Sequence, residues 1–318
     1  MSLTGRIEYD KEFNEILDMF DYSEMLDEIN KYDYKTDLKI KRKLSNTHLY
    51  SYLGFTFDYM CRFILQKFQY KYFNIKVNDI YKLVAKRGYD RLELEHNEII
   101  EKYKINYVGI IDFIYNNYVY NNDVKIYDYS RILPFAYNLS KLEEIYRSCS
   151  FKEFNVSVRF PMGRDSIWIL EDLLNLFIKN FDDKFKLREN NNKIIYNPNF
   201  GKYSLSIGGA DADIIINDTL IDFKTSRYLN YNNGCINNLK QIVGYYLLNY
   251  LNKGVLINTL SLYYARYGIF IEKELTNKEK SILKKMSKKL DNYCNISKFD
   301  SLLQLFEFVK NEPVKIID

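Results

Sequence analysis

Beyond residue 201 the chain alternates: Tyr203, Leu205 and Ile207 are separated by Ser204 and Ser206, the period of a half-buried strand. Gly208-Gly209 marks a turn, and the run over 210–216 predicts a second strand. Asn217-Asp218 then reads as a two-residue hairpin turn leading into a third strand over 219–224. Leu239, Ile242, Val243, Tyr246 and Leu247 recur at helical spacing and predict a helix over 237–251, followed by a fourth strand over 260–265. Upstream, the pattern is helical. Phe13, Ile16, Leu17 and Phe20 share one face, and helices are predicted over 49–68, 77–86, 93–104 and 165–181, with an asparagine-rich loop over 190–199. Two more are predicted over 278–293 and 301–310. The order helix–strand–strand–strand–helix–strand inside a largely helical chain specifies an α/β core with large helical additions.

Composition narrows the chemistry. With 318 residues, 47% of them apolar and 28% charged, the chain has ample surface to bury and no disordered bias. Only 12 Gly and 4 Pro argue against a linker, so the expected division is a mainly helical region over 1–150, a core over 151–275 and C-terminal helices over 276–318. The richest apolar stretch, 244–257, is broken by Asn249, Asn252 and Lys253, which argues against a membrane span. Glu8, Asp10 and Glu12 at the start, with no apolar run, point to a cytoplasmic protein. Cys61, Cys149, Cys235 and Cys294 are scattered, and His48 and His96 are the only histidines. Clustered zinc or iron–sulfur ligands are therefore not expected, and the chemistry falls to carboxylates and lysines.

A net charge of +4 neither demands nor excludes nucleic acid. Its distribution is more informative: the N-terminal 30 residues are acidic, and basic runs follow at Lys39, Lys41, Arg42 and Lys43, and again from Lys278 to Lys289. These runs read either as solvated helix faces or as the walls of a phosphate groove, with Lys41 and Lys285 as contacts.

The informative stretch is Gly208 to Ser226. In the register of a two-residue turn, Asp213 falls opposite Asp222 and Asp211 opposite Lys224, and all four side chains project from one face. The other face carries Ala212, Ile214, Ile221 and Phe223. Directly opposed side chains have Cβ atoms roughly 4.5–5.5 Å apart, so Asp213 and Asp222 repel unless a cation lies between them. Mg²⁺ suits such a pair, since it takes one or two carboxylates together with water and phosphate oxygens. Lys224 adds a fixed positive charge beside it. The plainer alternative is an exposed strand face with a satisfied Asp–Lys pair.

Asp213, Asp222-Phe223-Lys224 and Gln241-Ile242-Val243-Gly244-Tyr245 together resemble the PD-(D/E)XK nuclease superfamily, in its RecB-like branch. The resemblance covers 201–265. It implies a restriction-endonuclease-like αβββαβ core and Mg²⁺- or Mn²⁺-dependent hydrolysis of DNA phosphodiesters, in repair, phage defence or mobile-element biology. On that likeness Asp213 and Asp222 bind the metal, Lys224 orients or activates the attacking water, and Gln241 and Tyr245 support the site. Asp211 is a supporting acid, and Arg266 after the fourth strand is a candidate phosphate contact. RecB-like enzymes carry a Gly-x-x-x-His helix; here Gly54 is followed by Asp58 in the histidine position, leaving Asp58 as a metal ligand or a salt-bridge partner. The family's proline is also missing, since Gly209 and Ala210 precede the acids.

Two rivals stand beside this reading. Asp211-Ala212-Asp213 is also the Asp-x-Asp of glycosyltransferases, but there the motif ends an apolar strand, whereas here Ile214-Ile215-Ile216 follow it. The other rival is a catalytically silent module that binds nucleic acid or a partner on a nuclease-like scaffold, although none of the acids nor the lysine is missing. No ATPase or helicase motif is present, so a motor such as a helicase, or a defence-system partner, would be a separate chain. Oligomeric state and DNA strandedness are not encoded in these motifs.

Overall fold

The computed structural model describes residues 3–33, 35–44, 49–77, 80–148, 162–229 and 234–296. Its helices are α1 (Leu3–Tyr9), α2 (Lys11–Leu17), α3 (Ser23–Asn30), α4 (Leu49–Phe73), α5 (Val84–Glu95), α6 (Asn97–Tyr103), α7 (Tyr107–Ile114), α8 (Leu133–Ser148), α9 (Arg164–Phe185), α10 (Gly201–Ser206), α11 (Gly234–Leu251) and α12 (Asn277–Ile296). Five strands, β1 (Ile194–Tyr196), β2 (Ile214–Ile216), β3 (Thr219–Lys224), β4 (Thr259–Tyr264) and β5 (Ile269–Glu274), form one open sheet in sequence order. β3 and β4 are parallel and joined through α11, and every other neighbouring pair is antiparallel. The protein is thus a mixed α/β fold.

Strand alternation sends side chains to two separate cores. Ile214, Ile216, Ile221, Phe223 and Tyr263 pack with α4, α8 and α9 on one face. Ile215, Leu220, Leu260, Leu262 and Tyr264 pack with α1 and α11 on the other. Helices from the first 150 residues therefore cover both faces of the sheet. Phe57 of α4, Phe177 and Phe181 of α9, Phe223 of β3 and Tyr263 of β4 form one aromatic cluster whose contacts between elements are edge to face, with centroids 5.1–6.4 Å apart, an arrangement that aligns α4 with the end of β3. No described helix is long and apolar enough to cross a membrane.

Several expected elements are revised. Residues 203–207 are not a strand: α10 turns there, exposing Leu205 and burying Ser204, whose hydroxyl donates to Ala210 O and accepts from Ala210 N. That local hydrogen-bond closure outweighs the period-two pattern. The first strand is instead β1, inside the expected asparagine-rich loop, paired to β2 with Ile195 opposite Ile215. The second strand begins at Ile214 rather than 210. The helix expected over 77–86 is displaced to α5, and α4 runs five residues beyond 68 to Phe73. β5 was not anticipated; it returns antiparallel beside β4 after a turn in which Gly268 takes φ 63°. The helix expected over 301–310 lies outside the described residues.

The hairpin itself matches expectation. Ile216 pairs with Thr219 and Ile214 with Ile221. Asn217 takes φ 56°, a conformation its short polar side chain tolerates. Its amide is tied to Asn192 and to the Lys193 N–H.

Candidate active site

The β2–β3 ladder stops at Ile214, and there the two chains part. Upstream of Ile214 the chain turns toward β1: Asp213 O accepts from Asn197 N–H, and Asp211 forms an isolated bridge with Asn199, whose side-chain amide donates to the Asp211 carboxylate at 3.1 Å. Asp211 therefore does not sit opposite Lys224, and Ala212 packs with the α11-side core rather than with Ile221 and Phe223. A hairpin register extrapolates only as far as the ladder continues. Asp213, at the fork, spans it: its Oδ2 accepts the Phe223 N–H at 2.6 Å, which sets the carboxylate against the peptide joining Asp222 to Phe223.

On β3, Asp222 and Lys224 point toward α11. Lys224 Nζ donates to Gln241 Oε1 at 2.7 Å, and Gln241 Nε2 donates to Tyr245 Oη at 2.9 Å and reaches Thr4 Oγ1 at 3.4 Å. Residues one helical turn apart share a face, and here that face delivers both side chains to the lysine. Lys224 Nζ also lies 2.5 Å from Asp222 Oδ2, but off the hydrogen-bond direction, so this oxygen, buried in the sheet, has no hydrogen-bond donor. Burial, with the Asp222 and Asp213 charges nearby, holds the Tyr245 hydroxyl well above the ordinary phenol range; it is a neutral donor or acceptor here.

The opposite wall comes from α4 and α8. A Cβ on Gly54 would lie only 3.3 Å from Thr225 Oγ1, so the glycine sets how closely α4 passes the end of β3. One turn on, Asp58 is bonded by both Nε and Nη2 of Arg62. Asp58 is thus a salt-bridge partner of Arg62 in this structure. Burial pushes the Asp58 carboxyl up, to about 6, against the pull of Arg62. Beside it, Glu143 of α8 accepts from Tyr59 Oη at 2.6 Å and from Arg147 Nε at 2.6 Å. Arg62→Ala is expected to cost roughly 3–5 kcal/mol, because it leaves Asp58 without its buried partner; urea denaturation measures it.

The charges do not balance. Asp58, Glu143 and Asp222 each have a cation, Arg62, Arg147 and Lys224 respectively. Asp211 and Asp213 are left over. The Asp213 carboxyl is driven well above the usual range, first by burial and then by the Asp58 and Asp222 charges. Asp211 is raised mainly by burial, with Arg147 and Arg87 pulling the other way. Asp58, Asp211, Asp213, Lys224 and Gln241 all retain partial exposure, so the cluster opens to solvent. Among the described residues no three Asp, Glu, His or Cys side chains form a ready metal cage; a cation would have two carboxylates here.

The remaining expected contacts separate. Arg266 is fully buried, and its guanidinium donates to the Thr225, Ile40 and Arg42 carbonyls. It is a clamp within the fold rather than a direct phosphate contact, because no part of it reaches solvent. What it clamps is the segment carrying Lys41, which lies exposed beside the end of β3. Lys285 is exposed on α12, a helix packed on α11 and α2; no described contact brings it to the acid cluster. Sequence reasoning missed Glu143, Arg147 and Asn199. Glu143 and Arg147 form an i,i+4 pair that in sequence looks like any solvated helix pair.

Compared with known proteins, the chain matches no family model, no curated protein and no solved structure.

Proposed function

We propose that the protein is a metal-dependent nuclease that hydrolyses DNA phosphodiester bonds. The observation that carries this reading is the surplus carboxylate Asp213, partly buried and held against the Asp222–Phe223 peptide and beside the Lys224–Gln241–Tyr245 relay. A carboxylate largely withdrawn from water without a counter-ion is costly, and a divalent cation shared with Asp222 lowers that cost. The residues fit such an ion: Asp222 Oδ2 lacks a hydrogen-bond donor, and two carboxylates leave room for water and phosphate oxygens, as Mg²⁺ prefers. The order α9–β1–β2–β3–α11–β4, apart from the short α10, also agrees with the αβββαβ core of the PD-(D/E)XK likeness.

In this reading Asp213 and Asp222 hold Mg²⁺ or Mn²⁺, which when bound supplies Lewis-acid polarisation of the scissile phosphate. Lys224 Nζ, fixed by Gln241, orients the attacking water and offsets negative charge that develops on the phosphate. Tyr245 fixes the Gln241 amide so that its oxygen, not its nitrogen, faces the lysine. Asp58 and Arg62 form the wall that screens Asp213. Asp211 tethers the diverging strand to Asn199.

A cleavage assay on linear, circular, single-stranded and duplex DNA, with and without Mg²⁺ or Mn²⁺, tests the proposal. Cleavage that needs no divalent ion would overturn the metal-dependent mechanism, and binding with no cleavage of any substrate would replace the proposal with the reading of a silent binding module. Substrate binding is expected to weaken steeply with salt if Lys41 and its neighbours meet phosphates, each neutralised phosphate adding roughly 0.7–0.9 to the log–log slope. A flat salt response in a binding titration would return Lys41 to ordinary solvated surface.

A further inference from the structure

The strap formed by residues 38–44 crosses the end of the sheet next to the candidate site. Leu38, Ile40 and Leu44 are buried while Lys39, Lys41, Arg42 and Lys43 face solvent. Ile40 N–H donates to Arg266 O, and Arg266 returns bonds to the Ile40 and Arg42 carbonyls while its Nε holds Thr225 O. Arg42 is therefore one buried guanidinium away from the residue that follows Lys224. Its own guanidinium lies over the ring of Trp168 on α9, 5.1 Å from the centroid, and only loosely paired with Asp172 at 3.9 Å.

Trp168 is the only tryptophan in the chain and is 47% exposed. A bulky aromatic this open, with a stacked arginine, is a platform of the kind that single-stranded nucleic acid uses. Behind the strap lie two further guanidiniums, Arg266 and Arg227. Arg266 and Arg227 are close enough for the Arg227 charge to push the Arg266 guanidinium down, a smaller effect than its burial. Arg266 Nη2 and Arg227 Nε and Nη1 have no acceptor. An aromatic face carrying a stacked guanidinium, beside the exposed lysines of the strap, suits an unpaired base attached to a phosphate backbone. A duplex presents no free base faces to such a ring.

We propose that Trp168 and Arg42, flanked by Lys39, Lys41 and Lys43, stack an unpaired nucleotide of the substrate, which makes single-stranded DNA the preferred ligand of this edge. The proposal rests on the nuclease reading and deepens it by naming the substrate form. The lone tryptophan is its own reporter. In EDTA, where no divalent ion is available for cleavage, titration with a short oligothymidylate is expected to quench selectively excited tryptophan emission. Trp168→Ala, an exposed change that should leave the melting temperature near wild type, is expected to weaken binding roughly tenfold by anisotropy of the labelled oligomer. Trp168→Phe should recover most of that loss, and a blunt duplex of the same length should bind less tightly and quench less.

The proposal is overturned if the oligomer binds with emission unchanged, if Trp168→Ala binds it as tightly as wild type, or if the duplex binds and quenches equally. Absence of any oligomer binding also overturns it. The nuclease reading is judged separately, by ion-dependent cleavage of any DNA form in the assay above, and the Trp168 proposal by binding in EDTA, so the two can fail independently.

Discussion

Lys224→Ala is expected to lower ion-dependent cleavage by about 10²–10³-fold or more, the scale of losing one preorganised charge at a reacting centre. The lysine is the only cation in the described site that touches both an acid of the cluster and the α11 relay, through Asp222 at 2.5 Å and Gln241 at 2.7 Å. Alanine also leaves Asp222, which is 3% exposed, without its counter-ion, and breaking a buried pair from one side can cost several kcal/mol. Loss of activity in that variant must therefore be read beside its circular dichroism and melting curve. Lys224→Arg separates the two effects. It keeps the charge that steadies Asp222, but the wider, planar guanidinium cannot reproduce a point charge held by one amide oxygen. The expected result is a folded protein with near-wild-type melting and cleavage still reduced by at least about tenfold. Full activity in either variant would remove Lys224 from the chemistry and with it the strongest argument for hydrolysis.

The readable part of this chain is the part in which local pattern and hydrogen bonding agree. The Asn217-Asp218 turn, the apolar faces of β3 and β4 and the Gln241–Tyr245 helix face all combine periodicity with a turn or spacing signal, and each is realised. Tyr203 to Ile207 has the same alternation, but a serine hydroxyl able to close on Ala210 converts it to a helical turn. β1 is three residues long, Ile-Ile-Tyr between Lys193 and Asn197, too short for a period to register. The pairing of Asp213 with the Asp222 side of β3 follows from the turn register. The departure of Asp211 does not, because it depends on a bridge to Asn199 that only tertiary structure supplies. Arg266 illustrates the converse limit: an arginine at a strand end looks like a surface charge in sequence, and its burial is set by a strap more than 200 residues away in the chain.

Asp213→Asn and Asp211→Asn are expected to behave oppositely in ion binding although they stand two residues apart. Asp213 is the acid at the fork, bonded to the Phe223 N–H and adjacent to Asp222. Its amide variant removes one of two ligands and should abolish both Mn²⁺ binding and cleavage. Asp211 is engaged by Asn199 and faces Arg147 and Arg87 instead, so its amide variant should lower activity while retaining measurable ion affinity. Stability supplies a second, independent readout. Because folding raises the Asp213 pKa, the folded ion-free protein holds this proton more tightly than the unfolded chain does. Stability must then fall as pH rises from the ordinary aspartate range near ~3.9 toward the raised native value, and the deficit persists above it. Asparagine carries no such penalty. In EDTA at neutral pH, Asp213→Asn is therefore expected to be more stable than wild type, on the order of 0.5–2 kcal/mol, the usual yield of relieving a functional strain. The gap should close on acidification below that range. Adding Mn²⁺ should raise the melting temperature of wild type and of Asp211→Asn by mass action, but not that of Asp213→Asn. If Asp211→Asn loses the ion while Asp213→Asn keeps it, the cation belongs to the diverging strand and not to the fork, and the roles of the two acids are reversed.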